Sequence, residues 1–237
     1  GFSDPRASAA VWYRLWNCGL RPAAAAGTDA MANYSSLRGP VGLNRVYAQL
    51  DNIPAEAGAR IDAWLAALKA GRTMATNGPL LALTVAGQGP GSTVTLSAAR
   101  AHVKYRGFLR SAVPVDHLEI VVNGKVARAL RLSADRRSAD FEGRVAVRGT
   151  DWLLARAWSD GSFPDTLDAY PYATTNPVSF SHPSAATHCG TDADYLARWI
   201  DRLESAAQAH TAYNSADEKA KTLDEIRSAR AVIDSRR

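Results

Sequence analysis

The strongest constraint on the fold is a hairpin signal in LEIVVNGKVARAL, residues 118–130. Asn123 and Gly124 stand between two apolar runs, and both accept the positive φ angles of a two-residue hairpin turn. Short runs of alternating apolar residues, separated by Gly, Pro and Asn, continue on both sides. Many short strands of this kind favour an antiparallel β-sandwich, which we place at residues 79–181.

Helical periodicity flanks this region on both sides. Apolar residues recur at helical spacing in residues 11–16, in residues 61–68, which end before Gly71, and in residues 196–203. Thr191 and Asp194 have the spacing of a capping box in front of the last of these helices. The sequence therefore predicts an α+β chain, with helices before and after the sandwich.

Composition and charge narrow the class of protein. With 46% hydrophobic and 22% charged residues, the chain is typical of a globular protein. No run approaches the roughly 18 apolar residues of a membrane span. The net charge is +5, but the basic residues are scattered and are not interleaved with aromatic residues. We therefore expect neither nucleic acid nor a membrane as a partner.

Cysteines and histidines give no strong metal or nucleophile pattern. Cys18 and Cys189 are too few for a disulfide framework or a zinc site, so each is expected to be a small buried hydrophobic residue. His182, His188 and Cys189 lie close together, which leaves a metal site as an alternative, but no third ligand follows at a suitable spacing. His102 and His117 are expected to be strand surface residues.

The most polar segment of the N-terminal third surrounds a single aspartate. Asp29 ends the motif Gly27-Thr28-Asp29 and precedes a loop punctuated by Gly and Pro. At the end of a strand in an α/β barrel, such a carboxylate can ligate a cation. Loop aspartates that cap turns are commoner, and this alternative stays open.

Several segments, taken in order, resemble the CehA/McbA-type metallohydrolases, a branch of the PHP (polymerase and histidinol phosphatase) superfamily. The catalytic domain's closing part is similar to FSDPRASAAVWYRLWNCGLRPAAAAGTDAMANYSSLRGPVGLNRVYAQL. The junction into the β-domain is similar to WLAALKAGRTMATNGPLLALTVAGQGPG, its central hairpin to DHLEIVVNGKV, and its terminal helix to DADYLARWIDRL.

The resemblance implies a fold and a set of site residues. The fold is the end of a PHP-type α/β barrel at residues 1–78, the antiparallel sandwich at 79–181 and a helical C-terminal tail at 182–237. Asp29 matches a family aspartate that is a metal ligand or a base beside the metal. Two arginines and an amide are implied as catalytic: Arg38 and Arg45 would face an anionic transition state, and Asn77 would lie where barrel and sandwich meet.

Two departures limit what this chain does alone. The early histidine motifs that supply most metal ligands in the superfamily are absent, and Met31 stands where many members carry a histidine. The chain starts at Gly1 without a signal-peptide pattern, so we expect a C-terminal fragment whose targeting region lies elsewhere and whose compartment is undetermined.

The expected function follows from the resemblance. The parent protein would be a metal-dependent hydrolase, with zinc and manganese both open, that acts on a small ester, amide, carbamate or phosphoester. The fragment itself would hold no catalytic metal and would be inactive. Association into homo-oligomers is left open. The alternative is a β-sandwich that binds a ligand or a partner protein on its own account.

Overall fold

The computed structural model describes residues 4–30, 39–167, 169–185 and 189–237, and this part of the chain is α+β. The helices are α1 Pro5–Asn17, α2 Ala57–Lys69, α3 Gly190–Ala209 and α4 Ala216–Asp234, with a 3₁₀ turn at Pro164–Thr166. The first seven strands are β1 Arg45–Ala48, β2 Thr73–Thr76, β3 Leu80–Val85, β4 Thr93–Thr95, β5 Arg100–Arg110, β6 His117–Val122 and β7 Lys125–Ala129. The remaining strands are β8 Ser138–Arg148, β9 Trp152–Trp158, β10 Tyr172–Thr175 and β11 Val178–Ser181.

The larger sheet, sheet A, is organised around β9. Strand β6 pairs along one edge of β9 and carries β7 on its far side. Along the other edge, β10 pairs with the end of β9 and β11 pairs with its beginning. Strand β2 then joins β10 and β1 joins β2, so strands from both sides of residue 79 share one sheet.

The smaller sheet, sheet B, has the order β3-β5-β8 and packs on sheet A across a shared core. Leu83, Tyr105 and Val145 of sheet B are buried in the same cluster as Ile120 and Phe180 of sheet A. All strand pairs in the described residues are antiparallel except β4 with β11, which is parallel. The predicted β-sandwich is therefore present, with one parallel pair at its edge.

Local signals are confirmed at two turns. Strands β6 and β7 pair across Asn123 and Gly124, whose φ angles are 49° and 80°, as a type I′ hairpin requires. Helix α2 is terminated by Gly71, which follows the C-cap residue Ala70 and has a φ of 72°. The amides of Gly71 and Arg72 donate to the carbonyls of Leu68 and Ala67, which is the Schellman pattern.

The burial of α2 differs from the expectation for an amphipathic helix. Ile61 and Leu65 are 60% and 49% exposed, whereas the small residue Ala67 is fully buried. The periodicity therefore predicts the helix correctly, but the apolar stripe is not the face that packs within the described residues.

The chain divides into two compact units, Gly1–Ser8 with Pro22–Ala185, and Ala9–Arg21 with Ala186–Arg237. The second unit is helical, and its core gathers Cys18, Cys189, Leu196 and Ile233. Arg14 forms an ion pair with Asp192.

No helix in the described residues has the length and apolarity needed to span a bilayer.

Two expectations for this helical unit are wrong. Cys18 and Cys189 are buried, as expected, but they are joined by a disulfide bond. The capping box at Thr191 and Asp194 does not form, because α3 begins at Gly190 and its N-cap is the disulfide-bonded Cys189, two residues before Thr191. Thr191 consequently lies inside the first turn instead of before it.

Candidate functional site

The predicted site residues that the structure describes meet at one end of sheet A. Arg45, the first residue of β1, pairs with Thr76, the last residue of β2, and Asn77 follows directly. The Thr28 hydroxyl donates to the Asn44 carbonyl (3.2 Å) and accepts from the Asn44 amide (2.9 Å). Residues 28–29, 44–45 and 76–77, which we call the loop end, are therefore held together by the Thr28 hydroxyl and by the pairing of β1 with β2. Arg38 lies outside the described residues.

Asp29 presents its carboxylate from a special backbone conformation. Its φ angle is 56°, in the left-handed region, and the residue is exposed while its neighbour Thr28 is buried. Aspartate is among the few non-glycine residues that adopt this region readily. Because Thr28 is tied to Asn44, Asp29 is positioned next to the start of β1.

Arg45 is held on its own strand. Its Nε donates to the Tyr47 hydroxyl at 3.0 Å, and its Nη1 donates to the Gly42 carbonyl at 2.8 Å. These two bonds fix the guanidinium over the loop that precedes β1. A fixed cation of this kind can stabilise negative charge that develops on a ligand.

Asn77 ties the loop end to the segment before β10. Its Nδ2 donates to the Tyr170 carbonyl at 2.7 Å, and its Oδ1 accepts from the Tyr172 amide at 2.7 Å. Both polar atoms of the side chain are thus engaged with backbone. Asn77 is therefore a positioning residue, because its two hydrogen bonds hold the backbone of Tyr170 and Tyr172 beside the loop end.

The loop between β9 and β10 contains the 3₁₀ turn and packs beside Gly78, next to the loop end. The Thr166 hydroxyl lies 2.9 Å from the Phe163 carbonyl and 2.7 Å from the Ala169 carbonyl, so this buried residue cross-links the loop. The methyl carbon of Thr166 would be 3.4 Å from a Cβ placed on Gly78. Asp168 of this loop lies outside the described residues.

The described residues do not by themselves fit a catalytic metal. They contain no group of three or more His, Cys, Asp or Glu side chains that could hold a metal ion. Asp29 offers one carboxylate, whereas catalytic metals usually take three or more protein ligands. The alternative site near His182 loses a donor, because Cys189 is bonded to Cys18. His188 lies outside the described residues.

Sequence reasoning missed a second cluster at the same end of sheet A. His117 pairs with Trp158, and Trp158 pairs with Tyr172 on its other side. The His117 imidazole stacks on the Trp158 indole, with ring centroids 3.7 Å apart and planes 17° apart. Its Nε2 lies 2.8 Å from Oδ2 of Asp160, and the Arg6 guanidinium carbon lies 3.8 Å from the indole centroid.

A buried ion pair supports this cluster from two register positions away. Glu119 accepts from Arg156 Nε at 2.6 Å and from Trp158 Nε1 at 3.3 Å. Both charged side chains are largely buried, so each needs the other for compensation. The network fixes the indole on which His117 stacks.

The cluster has some but not all features of a general base. A histidine beside a carboxylate is the arrangement that orients an imidazole for proton transfer. The neighbouring hydroxyl, that of Ser159, instead donates to the Pro114 carbonyl at 3.0 Å.

The alternation of Trp152, Leu154, Arg156 and Trp158 predicts one shared face of β9, but only strand pairing reveals that His117 lies opposite Trp158.

Comparison with known protein families, curated proteins and solved structures found no match to this chain.

Proposed function

We propose that this chain is the C-terminal part of a metal-dependent hydrolase that acts on a small ester, amide, carbamate or phosphoester. The observation that carries the proposal is the convergence of Thr28, Arg45 and Thr76 at the loop end. These residues belong to segments that carry the family resemblance. The segments are separated by up to 48 positions in sequence, yet they are joined at the loop end by hydrogen bonds and strand pairing. The sandwich by itself does not indicate this function, because the same fold carries many unrelated activities.

Each loop-end residue has a role in this proposal. Asp29 acts as a metal ligand or as a base beside the metal, which its exposed carboxylate permits. Arg45 stabilises the negative charge that develops on the substrate. This role requires a guanidinium in a fixed position, and the two hydrogen bonds of Arg45 fix it. Asn77 keeps the backbone of Tyr170 and Tyr172 in position, and Arg38 adds a second cation.

The metal requires ligands from residues other than those described. Because the described residues do not fit a metal centre, we propose that its other ligands belong to the parent protein outside this part. A metal bound there would polarise the substrate and activate a water molecule. The contribution of this chain is then to present Asp29 and Arg45 to a small-molecule substrate.

A second candidate function is small-ligand binding by the sandwich itself. The exposed rings of Tyr47 and Tyr170, 45% and 56% accessible, belong to the loop-end region, and exposed aromatic residues are common in recognition sites. The two sheets also share a complete core, as an independent binding domain requires. This alternative needs no metal.

The disulfide bears on the compartment. Disulfide bonds persist mainly in oxidising environments and are rare in reducing ones. We therefore propose that the protein works in an oxidising compartment, such as the cell exterior.

The test uses the protein encoded by the whole reading frame that contains this chain. We would measure bound metal and turnover of chromogenic ester, amide, carbamate and phosphoester substrates for the wild type, Asp29→Asn and Asp51→Asn. Asp51 is a matched control, since it is an exposed aspartate in the loop that follows β1. We expect Asp29→Asn alone to reduce turnover by at least about 100-fold. Full turnover and metal content in Asp29→Asn would remove the proposed role.

A further inference from the structure

The outer face of sheet B is strongly basic along two neighbouring strands. Every second residue of β5 and β8 is exposed, because the alternate residues enter the core. On this face β5 and β8 together contribute a set of basic side chains, which we call the basic stripe. Its members are Arg100, His102, Lys104, Arg106, Arg144 and Arg148.

Strand register places like charges directly opposite one another in this stripe. Arg100 pairs with Arg148, and Lys104 pairs with Arg144. Side chains at such positions have Cβ atoms about 5 Å apart, and like charges there destabilise a sheet. Within the described residues none of these four side chains forms an ion pair. Two like-charge pairs without an ion-pair partner on an exposed face favour a role in binding an anion.

Acidic residues on the same face lie towards its other end. Glu142 pairs with Arg106, and Asp140 accepts from Arg110 Nη2 at 2.8 Å. The positive potential is consequently concentrated between Arg100 and Lys104 and their partners on β8. An open groove of about 460 Å³ borders this region, and its lining includes Thr84, Lys104, Arg106, Glu142 and Arg144. The groove combines a hydroxyl and three cations with one carboxylate.

The stripe is long and narrow. Strands rise about 3.3 Å per residue and lie about 4.8 Å apart, so Arg100 to Arg106 spans roughly 20 Å while two strands span roughly 5 Å. Basic side chains recur at about 7 Å steps on β5, whereas Arg144 and Arg148 on β8 are about 13 Å apart. Strand β3, on the far side of β5, adds only uncharged residues to this face: Leu80, Ala82 and Thr84. A linear polyanion fits this shape better than a planar membrane surface does.

We propose that the basic stripe binds a linear anionic polysaccharide with sulfate or carboxylate groups. Single-stranded nucleic acid would need aromatic side chains on which bases stack, and this fully described face carries one, Phe108, at its acidic end. The disulfide favours an oxidising compartment, where acidic glycans are encountered. The proposal goes beyond the hydrolase function and does not rest on it.

The sequence alone did not suggest this surface. The segment RAHVKYRGFLR carries its basic residues at every second position, so they look scattered among apolar ones. Pairing with β8 adds Arg144 and Arg148 beside them.

The test compares two variants of equal charge. The stripe variant carries Arg100→Gln, Lys104→Gln, Arg144→Gln and Arg148→Gln. The control variant carries Lys125→Gln, Arg131→Gln, Arg202→Gln and Lys221→Gln, which are exposed basic residues outside the stripe. Binding to heparin, polygalacturonate, single-stranded DNA and vesicles of phosphatidylglycerol with phosphatidylcholine would be measured by calorimetry at several salt concentrations.

We expect the wild type and the control variant to bind heparin or polygalacturonate, and the stripe variant to bind roughly 10- to 100-fold more weakly, with a shallower salt dependence. Binding to heparin but not to polygalacturonate would show that sulfate groups are required, because polygalacturonate carries carboxylate groups alone. The stripe variant should unfold at the same temperature as the wild type or higher, because two repulsions are removed. Equal loss in both variants, no binding to either polysaccharide, or tighter binding to DNA or vesicles would overturn the proposal.

Discussion

Gly91 lies directly against Gly71, so that position 91 has no room for a side chain. A Cβ at position 91 would lie 2.7 Å from the carbonyl carbon of Gly71, and the two φ angles are 83° and 72°. The Gly91 amide donates to the Pro177 carbonyl at 2.9 Å. This contact joins the end of α2, the loop before β4 and the break between β10 and β11.

The first prediction concerns this contact. Gly91→Ala should lower the free energy of unfolding by about 2–4 kcal/mol, because it combines a positive φ with overpacking. Gly87→Ala is the matched control, since Gly87 has a φ of 80° but no atom within 4 Å of its Cβ position. It should cost only about 1 kcal/mol. Equal denaturation midpoints for the two variants would contradict the close packing.

The second prediction concerns the disulfide between Cys18 and Cys189. The bond closes a separation of 171 residues, and removal of a native disulfide typically costs about 2–5 kcal/mol. We expect a reducing agent to lower the unfolding temperature of the wild type and to leave Cys18→Ala/Cys189→Ala unaffected. Mass spectrometry after alkylation should detect no reactive thiol until the protein is reduced. A free thiol in the native wild type would count against the bond.

The third prediction is a pH effect at the start of α2. The Glu56 carboxylate accepts hydrogen bonds from the backbone amides of Gly58 and Ala59, which lower the pKa of Glu56 below its ordinary value. A lowered pKa in the folded state contributes stability above the unfolded pKa, and this is lost as pH falls through the folded pKa. The first turn of α2 should therefore fray on strong acidification.

Amide exchange measured as protection factors between pH 6 and pH 3 tests this effect. The protection of Ala59 should fall with pH in the wild type. Glu56→Gln keeps an acceptor oxygen but does not titrate, so its protection at Ala59 should be weaker and independent of pH. A wild type with constant protection would contradict the cap.

The sequence predicts elements well where the signal is local. The Asn123-Gly124 turn and the end of α2 at Gly71 depend on residues a few positions apart, and both are confirmed. Register is not local. That Arg45 pairs with Thr76, and His117 with Trp158, follows from strand pairing over tens of residues.

The same limit explains the missed features. Cys18 and Cys189 are far apart in sequence, and two cysteines alone give no pairing pattern, so their bond was not expected. The stripe residues Arg100 and Arg148 become neighbours only because β5 and β8 pair along eleven positions. Sequence periodicity identifies the face on which a residue lies but not its neighbours across strands.

The last prediction distinguishes a positioning role from a chemical one at Asn77. Asn77→Ala removes two hydrogen bonds to backbone, at Tyr170 and Tyr172, so the free energy of unfolding should fall by about 1–3 kcal/mol. Exchange of the Tyr172 amide should accelerate. Asn52→Ala, at an exposed loop position, is the control and should change neither quantity. If Asn77→Ala instead abolished turnover in the parent protein with no change in stability or exchange, Asn77 would act on the substrate directly.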